Sequence, residues 1–220
     1  GIFAAYELAN QSNLSVAIIE MGEDIDKRVC PRATTGRCLH CKVCSMISGW
    51  GGAGAFSDGK LCLSSEVGGY LNEFLSKERV EELIKYVDKV FLDFGAPDEL
   101  YGVNNKEIER LRREVILASM SLITFPIRHL GSDNCVKIVK NLKNYLLKNN
   151  VHLIFNTKVK NILSEKNIVK GVLTDSGELI KAKYVVAAPG RSGANWLKQE
   201  ACRLGIKWKS RSVDLGVRVE

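Results

Sequence analysis

The sequence predicts an α/β fold in which parallel strands alternate with helices and a short β-meander interrupts the pattern. Three observations predict it. Residues 1–10 carry an apolar helical stripe, and Ser15-Val16-Ala17-Ile18-Ile19-Glu20 follows as a β-branched run of the kind buried in parallel sheets. A second such run, Tyr184-Val185-Val186-Ala187-Ala188, opens through Pro189-Gly190-Arg191-Ser192-Gly193 into a helix start. Between residues 158 and 184, strand-like segments are separated by turn residues.

The opening helix and strand form half of a βαβ unit. In the dinucleotide-binding form of that unit, a glycine fingerprint opens the helix, and an acid about 20 residues later hydrogen-bonds the ribose hydroxyls. Gly1 and Glu20 have that spacing. Gly1 therefore reads as the third glycine of a fingerprint whose first two, with their strand, lie outside the sequence. The alternation of residues 213–220 reads as a strand that stops without a turn, so the chain is expected to be a fragment of a longer protein.

Seven cysteines occur, and Cys30-x7-Cys38-x2-Cys41-x2-Cys44 gathers four of them within fifteen residues around His40. Nothing suggests secretion, so disulfides are not expected. Four thiolates suit tetrahedral structural zinc, and two successive Cys-x2-Cys steps suit an iron-sulfur cluster. The ferredoxin order is not fully met, because the cysteine followed by proline, Cys30-Pro31, lies upstream. A redox-active pair at Cys38/Cys41 or Cys41/Cys44 ranks below a metal.

Directly after the cysteines comes Gly49-Trp50-Gly51-Gly52-Ala53-Gly54-Ala55-Phe56-Ser57-Asp58-Gly59-Lys60-Leu61. Its first seven positions hold four glycines and two alanines, which strip side-chain bulk from the backbone. Flexible linkers lack anchoring hydrophobes, whereas this run carries Trp50, Phe56 and Leu61. A loop facing a planar, anionic cofactor accounts for both features.

Helical spacing returns over residues 78–94, 105–120 and 133–149, the last capped by Ser132 or Asp133. Val136, Val139, Leu142, Leu146 and Leu147 form its core face. Strands are expected at 151–155, 158–163, 168–174 and 179–184, with Asp175-Ser176-Gly177 as a tight turn.

A hydrophobic content of 45% with 4 prolines marks a globular chain, and no stretch is apolar and long enough to span a bilayer. The net charge of +7 is spread over solvated helices without interleaved aromatics. Nucleic acid is therefore not the expected partner.

Taken together, these residues resemble the two-dinucleotide-binding-domain flavoproteins. Within that group the chain is similar to uncharacterised FAD-dependent dehydrogenases marked by Gly-x-Gly-Gly-Ala-Gly-x-Phe-Ser-Asp-Gly-Lys-Leu, here Gly49 to Leu61. Arg28, Cys30-Pro31, Gly36 and the cysteines, Arg128-His129-Leu130-Gly131-Ser132-Asp133 and Ala188 to Gly193 follow in the same order.

The resemblance implies a Rossmann-like FAD-binding domain over residues 1–204, with its first strand missing and a helical insertion at about 70–127. Residues 205–220 would begin a substrate or cap domain. Gly1 would sit under the FAD pyrophosphate, Glu20 would bind the adenosine ribose with Met21 and Gly22 flanking it, and Arg28 would add charge near the phosphates. Gly49, Gly51, Gly52, Ala53 and Gly54 would approach the pyrophosphate or flavin. Val159 would contact adenine through its backbone, and Pro189, Gly190 and Arg191 would lie beside the cofactor. Cys30, Cys38, Cys41 and Cys44 are the metal candidates.

The activity so implied is that of a cytoplasmic FAD-dependent oxidoreductase transferring a hydride between flavin and a small-molecule substrate, with NAD(P)H or a protein as further electron partner. A flavin- and metal-carrying electron-transfer module is the alternative, and an RNA-modifying flavoenzyme a weaker third. No catalytic acid or base can be named; His129 and Lys60 qualify by type alone. With half of the phosphate cradle outside the sequence, these residues alone are expected to fold poorly or bind FAD weakly.

Overall fold

The structure, a computed structural model, describes residues 1–57 and 59–210. The predicted strand at 213–220 and most of the expected second-domain start lie outside them. The chain divides into two compact units, one of Ile2–Asn156 and the other of Gly1 with the chain from Thr157 onward.

In the first unit, helix α1 (Ile2–Gln11) leads into strand β1 (Ala17–Ile19). A single helical turn, α2 (Arg32–Thr35), lies in the cysteine segment, and the glycine run folds as a 3₁₀ turn over Gly52–Phe56. Strand β2 (Lys60–Cys62), helices α3 (Lys77–Asp93) and α4 (Asn105–Leu117), strand β3 (Ile127–His129), helix α5 (Ser132–Lys148) and strand β4 (His152–Ile154) complete it.

β1 and β4 pair in parallel, Ala17 opposite His152, as the two β-branched and apolar runs require. β2 and β3 pair antiparallel, with Lys60 opposite His129. His129 is thus a strand residue, exposed beside another exposed residue, rather than part of a helix entry.

Helix α5 organises the core. Cys135, Ile138, Leu142 and Leu146 recur on one face and are buried, each large aliphatic contributing about 2 kcal/mol by leaving water. One buried cluster joins Leu146 to Ala5, Ile25, Trp50, Ala55 and Val151; another joins Ile138 and Leu142 to Val90, Leu130 and Cys135. Val136 and Val139 pack against the first cluster as expected. Leu147 is a correction, 49% exposed, because it falls off the stripe. The N-cap also differs: Gly131 occupies it with no side-chain cap, so neither Ser132 nor Asp133 plays that part.

In the second unit, β5 (Val159–Glu165), β6 (Ile168–Thr174) and β7 (Leu179–Lys181) form an antiparallel meander, followed by α6 (Ala194–Arg203). The Ile162 amide points away from β6 and donates to Glu200 at 2.7 Å, while Arg203 donates to the Ile162 carbonyl at 2.6 Å. α6 thereby satisfies an otherwise open strand edge. The predicted strand at 184–188 is not formed. No described backbone pairs with it, and Tyr184 and Val186 stand 76% and 65% exposed.

Candidate functional site

The site grows from the carboxyl ends of the parallel pair, the edge at which open α/β sheets take ligands. Where β1 ends, the Glu20 amide still donates to Ile154 of β4 at 2.8 Å. The Glu20 side chain then turns back, and its Oε1 accepts the amides of Gly22 and Gly49, both at 2.9 Å. One carboxylate oxygen thus ties the strand end to the start of the glycine run. Oε2 has no hydrogen-bond partner among the described residues.

Close packing explains two of the glycines. A Cβ on Gly22 would meet the Gly49 nitrogen at 2.5 Å and the Ser48 carbonyl carbon at 2.7 Å. One on Gly49, where φ is 108°, would meet Arg28 Cδ at 2.5 Å and the Glu23 oxygen at 2.6 Å. Gly52 and Gly54 are different, since a Cβ there meets nothing within 4 Å. The run therefore has a packed beginning and a bare outer side, where Ala53 and Gly54 are exposed.

Trp50 anchors the loop. It is 2% exposed, its indole nitrogen donates to the Val139 carbonyl of α5 at 2.7 Å, and its ring meets Phe155 edge-on. Its amide donates to Glu23 at 3.0 Å. The segment carrying Glu23 is fastened in turn by Lys143 of α5, whose ammonium donates to Asp24 at 2.7 and 2.9 Å and to Asp26 at 2.8 Å. Burial opposes the Lys143 charge, but the two aspartates outweigh it and raise its pKa.

Arg28 is 6% exposed. Its Nε and Nη2 donate to the Ser45 carbonyl at 2.9 and 2.7 Å, and its Nη1 donates to the carbonyls of Trp50 and Gly52 at 2.6 and 2.9 Å. The Phe56 ring lies 4.7 Å from its guanidinium carbon. Arg28 is therefore a brace between the cysteine segment and the glycine run, its donors spent on carbonyls. Burial lowers its pKa, opposed by the nearby Glu20 carboxylate.

Cys30, Cys38, Cys41 and Cys44 are free thiols that share the wall of one cavity of about 300 Å³. Among the described residues, no three His, Cys, Asp or Glu side chains are grouped to hold a metal ion. Residues 29–47 contain no buried residue and one helical turn, so packing alone draws no thiols together.

The remaining predicted residues divide between the units. Met21 is half-buried between Glu20 and Gly22, and Gly51 packs against Ala55 and Val139. In the second unit, Val159 opens β5 opposite Thr174. Pro189, Gly190 and Arg191 form the turn before α6, with Pro189 packed where a Cβ on Gly193 would stand. Gly1 is exposed, with open space where a Cβ would be. Ser45, Asp24, Asp26 and Lys143 escaped the sequence reading. Lys143 lies 119 and 117 residues from the two aspartates, and the one available signal was a pair of acids flanking buried Ile25.

No family model matches the chain. An uncharacterized protein of Clostridium beijerinckii is 26% identical over 221 residues, covering all of this chain and 34% of that protein. The chain therefore spans about a third of that relative's length. Among solved structures, an L-amino acid deaminase from Proteus myxofaciens in complex with anthranilate superposes with a TM-score of 0.46 at 14% identity, covering 94% of this chain and 46% of that one. L-proline dehydrogenase from P. horikoshii gives 0.41 at 20% identity, covering 94% and 54%. Glycine oxidase from Bacillus cereus gives 0.42 at 14% identity, covering 92% and 56%. All three scores lie below 0.5. No described helix is long and apolar enough to cross a membrane.

Proposed function

We propose that this chain supplies the FAD-binding part of an oxidoreductase that moves a hydride between flavin and a small organic substrate. The reading rests on the first unit alone, and one observation carries it: Glu20, at the carboxyl end of a parallel strand, spends one oxygen on the amides of Gly22 and Gly49 and leaves the other without a partner among the described residues. A ribose hydroxyl is a fitting donor for that oxygen.

The bare outer side of the run at Gly52 and Gly54 supports the same reading, because a planar cofactor needs backbone it can approach. Gly22, Gly49 and Gly51 are explained by internal packing and Gly52 by its φ of 59°, whereas neither accounts for Gly54. When bound, the flavin supplies the redox chemistry, and the protein's share is position and electrostatics. In this reading Glu20 orients the adenosine end, Trp50 and Arg28 hold the glycine run rigid, and Met21 and Gly22 flank the ribose.

The test is to purify the complete protein that carries this chain, release its cofactor by acid and identify it. About one FAD per chain is expected, reduced anaerobically by a small organic donor. A protein with no affinity for FAD overturns the reading.

A further inference from the structure

We propose that Cys30, Cys38, Cys41 and Cys44 bind one [4Fe–4S] cluster in the cavity whose wall they share. The four thiols line one cavity of about 300 Å³. A cubane cluster takes four separate thiolates, since each bonds a different iron. A tetrahedral zinc site instead needs all four sulfurs within about 2.3 Å of one point.

The spacing agrees. Cys38-x2-Cys41-x2-Cys44 matches the three-cysteine run of bacterial ferredoxins, and Cys30-Pro31 provides a separate cysteine followed by proline. The base of the loop is already closed, because the Ser45 hydroxyl donates to the Val29 carbonyl at 2.8 Å and Arg28 clamps the Ser45 carbonyl. Cys30 and Cys44, the next residues in from this neck, are thereby held at its two sides.

Residues 29–47 have no buried residue and so no core of their own, and loops of this length in a compact domain are uncommon and usually functional or disordered. On binding, each cysteine S–H bond breaks and its sulfur bonds one iron in place of a thiolate ligand of the small-thiol or protein carrier that delivers the assembled cluster; the displaced thiolate leaves with the proton as a thiol, and iron and sulfide keep their oxidation states.

The experiment is anaerobic purification of the complete protein, followed by iron, zinc and acid-labile sulfide analysis. About four iron and four sulfide per chain are expected. Cys38→Ser and Cys41→Ser should lose most of the sulfide, whereas Cys62→Ser and Cys202→Ser should keep it. One zinc per chain without sulfide, a disulfide among the four cysteines, or well-folded protein free of iron would overturn the proposal. Analysis of the unmodified protein decides the matter even where a variant fails to fold. Because iron and sulfide are counted directly, the result stands apart from FAD binding, and Glu20→Gln should leave it unchanged.

Discussion

The Oε1 atom of Glu20 and the amide nitrogen of Gly49 are 2.9 Å apart. This single bond joins the end of a parallel strand to the beginning of the glycine run, 29 residues later in the chain. It fixes where the bare part of the run stands relative to the strand ends, and the proposed cofactor position follows from it.

The glycine that packs against the run and one within it should divide sharply on substitution. Gly22→Ala forces a Cβ into backbone at 2.5 Å and is expected to cost on the order of 3 kcal/mol, read by urea unfolding. Gly54→Ala meets nothing and should change stability by less than about 0.5 kcal/mol. If FAD lies against that side, Gly54→Ala should nonetheless weaken FAD binding several-fold, which a merely structural glycine would not do.

Arg28→Met should destabilise the first unit by about 3 kcal/mol, because it leaves the Ser45, Trp50 and Gly52 carbonyls without their charged donor. Arg28→Lys should recover only part of this, since an ammonium cannot reproduce the fork. Equal stability of the two variants in urea unfolding would contradict the bracing role.

In the second unit, hydrogen bonding from Arg203, with the Ile162 amide and Asn161 adding to it and burial opposing, holds the Glu200 carboxyl at about 2. A carboxylate with a depressed folded-state pKa stabilises fully above its unfolded value and loses that contribution as pH falls. The loss should therefore run from about pH 4.5 down toward 2. Amide exchange at Ile162 should accelerate over that window, beyond the change in intrinsic rate, and Glu200→Gln should remove the pH dependence.

These relationships differ in how far they could be read from sequence. α3 and α5 were legible because their apolar positions recur with helical period over 17 residues each. β1 and β4 were legible as β-branched and apolar runs, and the turn between β6 and β7 by its Asp-Ser-Gly. The β2–β3 pair was not, since three-residue strands are defined by the partner each finds across the chain. The 184–188 run shows the converse, where strong β propensity with no partner among the described residues makes no strand.

At the site, residue types announced the positions but not the roles. Glu20 stood out by its distance from Gly1, yet the division of its two oxygens depends on where Gly49 folds back. Arg28 is placed near the cofactor phosphates only by what the resemblance implies. Its burial and its four bonds to carbonyls are tertiary facts. The spacing of the cysteines leaves zinc, an iron-sulfur cluster and a redox pair open, and the cavity they share, with the closed neck at Val29 and Ser45, is a tertiary fact.

The measurement that bears most directly on the central claim is the FAD dissociation constant of the complete protein, compared with that of Glu20→Gln. A glutamine oxygen can still accept the Gly22 and Gly49 amides, so folding stability should change by no more than about 1 kcal/mol. The account predicts FAD binding weakened about tenfold or more, equivalent to about 1.4 kcal/mol. An unchanged dissociation constant in a folded variant would contradict it.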